Sequence, residues 1–452
     1  MTGRGVTGPS ALIIAAPSSS GGKTTMTLGL LRAFTRAGRR PAAAKIGPDY
    51  IDPAFHEAAS GRPSVNLDGW AMTPDRLARM IDSRGDAGLL LIEGVMGLFD
   101  GAPAPGAGGD GSAAALAALF GLPVLLVVDG SAQARSAAAL IHGFRSFDTR
   151  IDLAGVVFNR CGGAGHIRSL TAAAVEAGVP AFGFVPRQAD IALPSRHLGL
   201  VQARETGGLD ALLDRLGDLV AAHLDLDGIA ALARRAATGP RLTASPATPA
   251  VPPLGQRIAV ARDHAFAFAY PHILEDWHDA GAQILPFSPL AGEAPDRDAD
   301  AVWLPGGYPE LHAPVLAAMG ARPDGWVAGL RAAAQRGAVI FGECGGYMAL
   351  GRGLTDADGR DWPMAGLLAL DTSFARRRLH LGYRRARLAG DGPLGQAGQG
   401  YRGHEFHYAS ITAEDGPPLW RAVTDALGEP AAAAGLCHGR VAGSFLHLIA
   451  RG

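Results

Sequence analysis

At 452 residues the chain exceeds the roughly 250–300 at which a single hydrophobic core stops growing, so two domains are expected. Apolar residues make up 48% and charged residues 18%, which is too apolar for general disorder, and a formal net charge of −1 gives no long-range field toward nucleic acid or an anionic membrane. Only Cys161, Cys344 and Cys437 occur, widely spaced, which argues against a disulfide framework or a cysteine zinc site and fits a reducing cytoplasm. The tract before Ala11 lacks the apolar core of a signal peptide, and no apolar run approaches the ~20 residues of a membrane helix, so a soluble protein is expected.

In chain order, Ala11 to Ala16 reads as a buried strand leading into a Ser/Gly turn, and Thr24 to Ala37 carries helical periodicity closed by Gly38. Further strand candidates are Pro41–Ile46, Gly88–Ile92, Pro123–Val128, Ala154–Phe158 and Ala181–Val185, separated by Ala-rich stretches long enough for crossover helices. The expectation is a doubly wound, mostly parallel sheet over residues 1–235. Residues 236–256 turn to Pro, Thr, Ala and Gly, the composition of a semi-extended linker. A second α/β series over 257–452 begins at Arg257–Ala261 and continues through Gln283–Phe287, Ala301–Leu304 and Ala338–Phe341. Tyr383–Leu388 and Tyr401–Thr412 then look antiparallel.

The turn from Pro17 to Thr24 matches the phosphate loop G-x-x-x-x-G-K-[ST] at its last three positions, with Pro17 in place of the first Gly. Gly21, Gly22, Lys23, Thr24 and the adjoining Thr25 are therefore the nucleotide candidates: backbone N–H groups cradle phosphates, Lys23 neutralises them and Thr24 suits Mg2+. Glu93 ends the strand Gly88–Ile92 where such sheets place their sites, and it is the acidic Mg2+ candidate. Asp49 and Asp52, in the strand-like segment Lys45–Asp52, are further candidates, against the bland reading of a solvated loop.

In the second half, Gly342-Glu-Cys344-Gly-Gly follows a strand and precedes an apolar helix, the arrangement of a nucleophile elbow, which makes Cys344 the candidate nucleophile. Cys161 and Cys437 read as inert buried thiols. His447, in the last strand with Gly443-Ser-Phe-Leu, is the candidate base. Leu304-Pro-Gly306-Gly307 ends another strand with two small residues suited to presenting N–H groups to an oxyanion. Arg196 and His197, in Pro194-Ser-Arg-His, offer cations to a polycarboxylate. Arg376–Arg378 reads instead as a solvated face.

Five segments together carry a resemblance: Gly47-Pro-Asp-Tyr-Ile-Asp-Pro53, Glu93-Gly-Val-Met-Gly-Leu-Phe-Asp-Gly101, Leu304-Pro-Gly-Gly-Tyr-Pro-Glu310, Gly342-Glu-Cys-Gly-Gly-Tyr-Met348 and Gly403-His-Glu-Phe-His-Tyr408. The chain resembles, over nearly its whole length, the cobyrinic acid a,c-diamide synthase family, which includes the hydrogenobyrinic acid enzyme and, more distantly, a nickel-sirohydrochlorin synthase. The resemblance implies a dethiobiotin-synthetase-like P-loop domain followed by a class I glutamine amidotransferase-like domain. It also implies amidation of the a and c acetates of a corrin precursor with ATP, Mg2+ and glutamine. By the same resemblance Lys23, Thr24 and Glu93 serve phosphate and metal. Asp49, Asp52 and Asp100 share the acidic synthetase roles, with Asp49 on the metal or in catalysis and Asp52 toward substrate. Asn159 then contacts adenine. Cys344 and His447 match the glutaminase pair, but Ile449 stands where the triad class carries its acid, so a Cys–His dyad is expected. A homodimer is compatible with all of this. Of the rival readings, a P-loop ATPase switch would need its signature lysine at Ser18, whereas a nickel-sirohydrochlorin synthase would keep every motif.

Overall fold

The computed structural model describes residues 8–188, 195–196, 199–200, 202–237, 248–432 and 435–452. The chain divides into two compact units, Met1–Pro246 and Ala247–Gly452. In the first unit the strands are β1 (Ser10–Ala15), β2 (Ala42–Ile46), β3 (Val65–Leu67), β4 (Leu89–Glu93), β5 (Pro123–Asp129), β6 (Asp152–Cys161) and β7 (Ala181–Pro186). They form one parallel sheet in the order β3-β2-β4-β1-β5-β6-β7. The central strands are buried on both faces, which is why they read as unbroken apolar runs rather than alternating ones. A two-residue pair, β8 (Ser195–Arg196) with β9 (Gly199–Leu200), stands apart, and β10 (Arg234–Arg235) adds antiparallel to the start of β1.

Helix α1 (Lys23–Arg36) begins directly at the phosphate-loop lysine and packs against the helix Leu209–His223. The approach is close: a Cβ on Gly29 would lie 2.4 Å from Val220 Cγ2 and 2.9 Å from the Leu216 carbonyl oxygen. The segment Lys45–Asp52 is not a strand as expected beyond Ile46. Gly47 takes φ +81° and turns the chain, and Asp52 opens helix α2 (Asp52–Ser60), where Pro53 suits a first turn.

The second unit is built on β11 (Arg257–Ala261), β12 (Gln283–Phe287), β13 (Ala301–Leu304), β14 (Val339–Glu343), β15 (Gly353–Thr355), β16 (Asp361–Pro363), β17 (Leu370–Ser373), β18 (His380–Leu388), β19 (Gly400–His407), β20 (Ser410–Glu414), β21 (Trp420–Thr424), β22 (Gly435–His438), β23 (Val441–Ser444) and β24 (Leu446–Arg451). The main sheet runs β12-β11-β13-β14-β23-β22, parallel except for the last pair. The sheets β21-β18-β19-β24 and β16-β15-β17-β20 complete the unit.

Two boundaries differ from expectation. Tyr401–Thr412 is not one strand but β19 and β20, which lie in different sheets. Likewise Gly443–His447 is not one strand: Ser444 closes the parallel β23, and after Phe445 the chain enters β24, pairing antiparallel with β19. Of the stretch read as a linker, 238–247 lies outside the described residues, and its end is packed. Ala250 donates to Asp276 Oδ2 at 2.7 Å, Trp277 Nε1 donates to the Val251 carbonyl at 2.9 Å, and Leu254 is buried.

Candidate active site

In the first unit the candidates gather at the carboxyl ends of β1, β2, β4 and β6. Ser20 and Gly22 take positive φ, and a Cβ on Gly22 would fall 2.1 Å from Asn159 Nδ2, so only glycine lets the loop lie against β6 there. Asn159 donates to the Gly21 carbonyl at 3.3 Å, and Thr25 is half-buried in the first turn of α1. Lys23 curls over the loop, its Nζ donating to the carbonyls of Ser18, at 3.2 Å, and Met96. Burial, reinforced by the positive charge of Lys45, lowers its pKa.

Glu93 is fully buried and is the hub. Oε1 accepts from Thr24 Oγ1 at 2.6 Å and from Lys45 Nζ at 2.8 Å, and Oε2 sits 2.7 Å from His56 Nε2. Lys45 Nζ also donates to Asp52 Oδ2 at 2.6 Å and to the Gly94 carbonyl at 3.2 Å. Burial opposes the charged form of Lys45, but Asp52 and Glu93 outweigh it and hold the ammonium well above its ordinary range. Burial likewise opposes the Glu93 carboxylate, and Lys45 and His56 hold it well below the usual range. Asp52 is the carboxylate in excess: burial, then the charge of Asp49, raises it. Thr24 and Glu93 present two hard oxygens side by side, a donor set that fits Mg2+.

Asp49 and Asp100 are not drawn into that contact. Asp49 Oδ1 accepts the N–H groups of Ile51 and Asp52, at 2.8 and 3.0 Å, and so closes the turn that leads into α2. Asp100 Oδ2 accepts from Gly97 N–H at 2.7 Å and shapes the loop after β4. A Cβ on Gly97 would lie 2.6 Å from both that oxygen and the Pro17 carbonyl, so this loop lies against the start of the phosphate loop. Arg196 lies in β8, without a described side chain, and His197 lies outside the described residues.

In the second unit Cys344 follows β14 at φ +47° and ψ −104°, a conformation held by neighbours with no room for side chains. A Cβ on Gly346 would lie 1.9 Å from the Leu304 carbonyl, and one on Gly342 2.7 Å from the Gly346 carbonyl. The Cys344 N–H donates to the Ser444 carbonyl at 2.8 Å, tying the elbow to the end of β23. The thiol faces the N–H groups of Gly345 and Gly307, which favour the thiolate. Burial, and then the charge of Glu310, outweigh them and push it well above the usual thiol range. Gly307, the candidate oxyanion donor, thus has its N–H beside the candidate nucleophile.

Its neighbour Gly306 borders the candidate base: a Cβ there would lie 2.1 Å from His447 Cε1, so the imidazole packs directly on this glycine. His447 is fully buried, and burial together with His404 and His407 lowers it to about 3. Ile449 stands where an acid was sought, and its carbonyl lies 3.1 Å from His272 Nε2. The motif Gly403–Tyr408 backs this site from β19. His404 is opposite His447 in register, the Phe406 carbonyl accepts from Cys344 Sγ at 3.7 Å, and the His407 ring stacks on Phe445 at 3.8 Å.

Residues 12–201 match the family model described as a CobQ/CobB/MinD/ParA nucleotide binding domain, and 257–452 the model of a CobB/CobQ-like glutamine amidotransferase domain. A protein of Rhodobacter capsulatus named hydrogenobyrinate a,c-diamide synthase is 52% identical, covering 98% of this chain and 99% of its own. The chain belongs to the hydrogenobyrinate a,c-diamide synthase family. Family members so named in Mesorhizobium japonicum and Agrobacterium fabrum are 51% and 48% identical, each over 98% of this chain, and over 98% and 99% of their own. In this member of the hydrogenobyrinate a,c-diamide synthase family, the sequence reading passed over Lys45, His56, Glu310 and Glu343. Lys45 had a signal, a lone cation inside the apolar run Pro41–Ile46. His56 had none, because its partners Glu93 and Ser64 meet it only through the fold. Glu343 sits inside the elbow motif itself. Burial raises it to about 8, and its Oε1 accepts the Leu448 N–H at 3.1 Å.

Proposed function

We propose that the protein amidates the a and c acetate carboxylates of hydrogenobyrinic acid, using ATP in the first unit and ammonia released from glutamine in the second. The relatives' shared name favours this macrocycle over a nickel-sirohydrochlorin. The observation that carries the reading is Cys344 held at a strained elbow, facing two backbone N–H groups, in a chain whose other unit bears a phosphate loop with Thr24 against Glu93.

A carboxylate repels nucleophiles and has a poor leaving group, so it is activated as an acyl phosphate before amide formation. Gly21, Gly22 and Thr25 line the nucleotide end of α1, and Lys23 turns from the Ser18 and Met96 carbonyls to neutralise the phosphates. Asn159 steadies the loop beside the base. Thr24 and Glu93 would hold Mg2+, which when bound offsets charge on the phosphates. Lys45 and His56 fix which oxygen of Glu93 faces Thr24. Asp49 and Asp100 act by shaping the two loops that border the site, while Asp52, Arg196 and His197 serve the polycarboxylate. In the second unit, neutral His447 takes the Cys344 proton as the sulfur attacks the glutamine amide, and Gly307 N–H with Gly345 N–H receives the oxyanion. Ammonium has no lone pair, so the ammonia must reach the acyl phosphate unprotonated.

The test is Cys344→Ala, with product counted by mass spectrometry. Glutamine-dependent synthesis should vanish, and concentrated ammonium salt at mildly alkaline pH should restore diamide formation to the wild-type ammonia-driven rate. A folded variant that stays inactive with ammonia, or active with glutamine, overturns the reading.

A further inference from the structure

Beside the elbow lies a carboxyl group that the amide chemistry does not use. Glu310 belongs to the turn after β13 that also carries Gly306 and Gly307. That turn presses on the elbow: a Cβ on Gly345 would lie 2.8 Å from Pro309 Cδ and 2.9 Å from the Gly307 nitrogen. Glu310 is half-buried. One of its oxygens, Oε2, is buried with no hydrogen-bond partner among the described residues. Such an orphaned acceptor costs about 1–3 kcal/mol in a resting protein and is kept where a ligand satisfies it.

What would satisfy it is a donor, and one with positive charge. Burial raises Glu310 to about 8, and the one cation among the groups acting on it is Arg377, on an exposed segment. The charge of Glu310 in turn reaches the Cys344 sulfur. A substrate lying with its reacting carbonyl between the sulfur and the N–H groups of Gly307 and Gly345 therefore has at one side of its path a carboxyl group that an incoming cation would ionise, with Arg377 the cation acting on it among the described residues. Free glutamine carries an α-ammonium and an α-carboxylate remote from its amide, and those two groups match that pair. On the reading of Cys344 as a glutaminase nucleophile, we propose that Glu310 receives the α-ammonium of free glutamine, with Arg377 on the side of its α-carboxylate, so that the site selects an amino acid rather than any amide. Binding of the ammonium then favours the ionised form of Glu310 that burial alone disfavours.

Two thiol reagents separate this from a structural role, read as rates of Cys344 labelling by mass spectrometry on the full chain. 6-Diazo-5-oxo-L-norleucine carries the amino-acid end of glutamine; iodoacetamide does not. Glu310→Gln should slow labelling by the diazoketone by about tenfold or more, the loss of a charge-assisted hydrogen bond. Iodoacetamide should react at close to the parent rate, because it carries no amino-acid end for Glu310 to receive. Glu310→Asp, which keeps the carboxylate, should recover part of the diazoketone rate. A measurement on the unaltered protein backs the variants: 4-carbamoylbutanoate, glutamine without its amino group, should compete with glutamine about tenfold or more weaker than the glutamine KM predicts. Equal slowing with both reagents, an unchanged diazoketone rate, or full competition by the des-amino compound overturns the proposal. If the diazoketone fails to label Cys344 in the unaltered protein, the glutaminase reading itself falls, and the proposal with it.

Discussion

Replacing Lys45 by Met removes the only ammonium that touches Glu93 and Asp52 among the described residues, while keeping a flexible apolar side chain of similar length. The three side chains are 4%, 0% and 8% exposed, so water cannot take over the solvation that Lys45 provides at 2.8 and 2.6 Å. Breaking a buried ion pair from one side costs about 3–5 kcal/mol, because a charge is left without compensation. Against a typical domain stability of about 5–15 kcal/mol this is a large fraction, and it should be felt first where α2 meets β2. Asp52, already raised, would take up a proton, so Asp52→Asn in the Lys45→Met background should return a part of the loss rather than add to it, by about 1 kcal/mol or more of coupling. Urea unfolding gives the totals, and hydrogen exchange read by mass spectrometry over residues 42–60 localises them. A Lys45→Met protein within about 1 kcal/mol of the parent, or additive losses in the double variant, would refute the view of Lys45 as the counter-ion of this site.

Three further outcomes follow from the second unit. Glu343 is neutral when folded below about 8 but ionises near 4.5 when unfolded, so its stabilising contribution is complete below pH 4.5 and is lost as the pH rises through about 8. Thermal transitions of Glu343→Gln between pH 5 and 9 should therefore fall less steeply than those of the parent. Gly306→Ala puts a methyl group into the His447 ring, and the ratio of glutamine-supported to ammonia-supported synthesis should drop by about 100-fold or more, a loss of the size general-base catalysis supplies. An unchanged ratio would mean the imidazole can move aside at no catalytic cost. Ile449→Ala should cost about 2–5 kcal/mol of stability as a core truncation yet leave glutamine hydrolysis far closer to normal than His447→Ala does, which steady-state glutaminase rates will check.

The parallel sheets were legible because a strand covered on both faces writes itself as a continuous apolar run: Ala11–Ala16, Pro123–Val128 and Ala181–Val185 each differ from the strands found by a residue or so at either end. β3 is three residues long at a sheet edge, and β10 is two, too short to leave a pattern. The break between β23 and β24 was hidden because Val441 to Ala450 stays buried through the change of sheet, so hydrophobicity alone cannot mark where one ladder ends and another begins. The candidate side chains were readable as motifs, Lys23 and Thr24 in the phosphate loop and Cys344 at the elbow. Their support was not. His56, Glu343 and Glu310 owe their roles to neighbours 37, 105 and 34 positions away in Glu93, Leu448 and Cys344, a relation that only the folded chain creates.

The environment of Cys344 also bears on how the protein survives between turnovers. Peroxide and other oxidants attack thiolates far faster than thiols. Burial opposes ionisation of the Cys344 sulfur and so favours the thiol, the form that oxidants attack slowly. On the reading of Cys344 as the glutaminase nucleophile, the same suppression would spare glutamine when no carboxylate is waiting for its nitrogen. Resistance to oxidants and economy with glutamine would then share one origin in the burial of that sulfur.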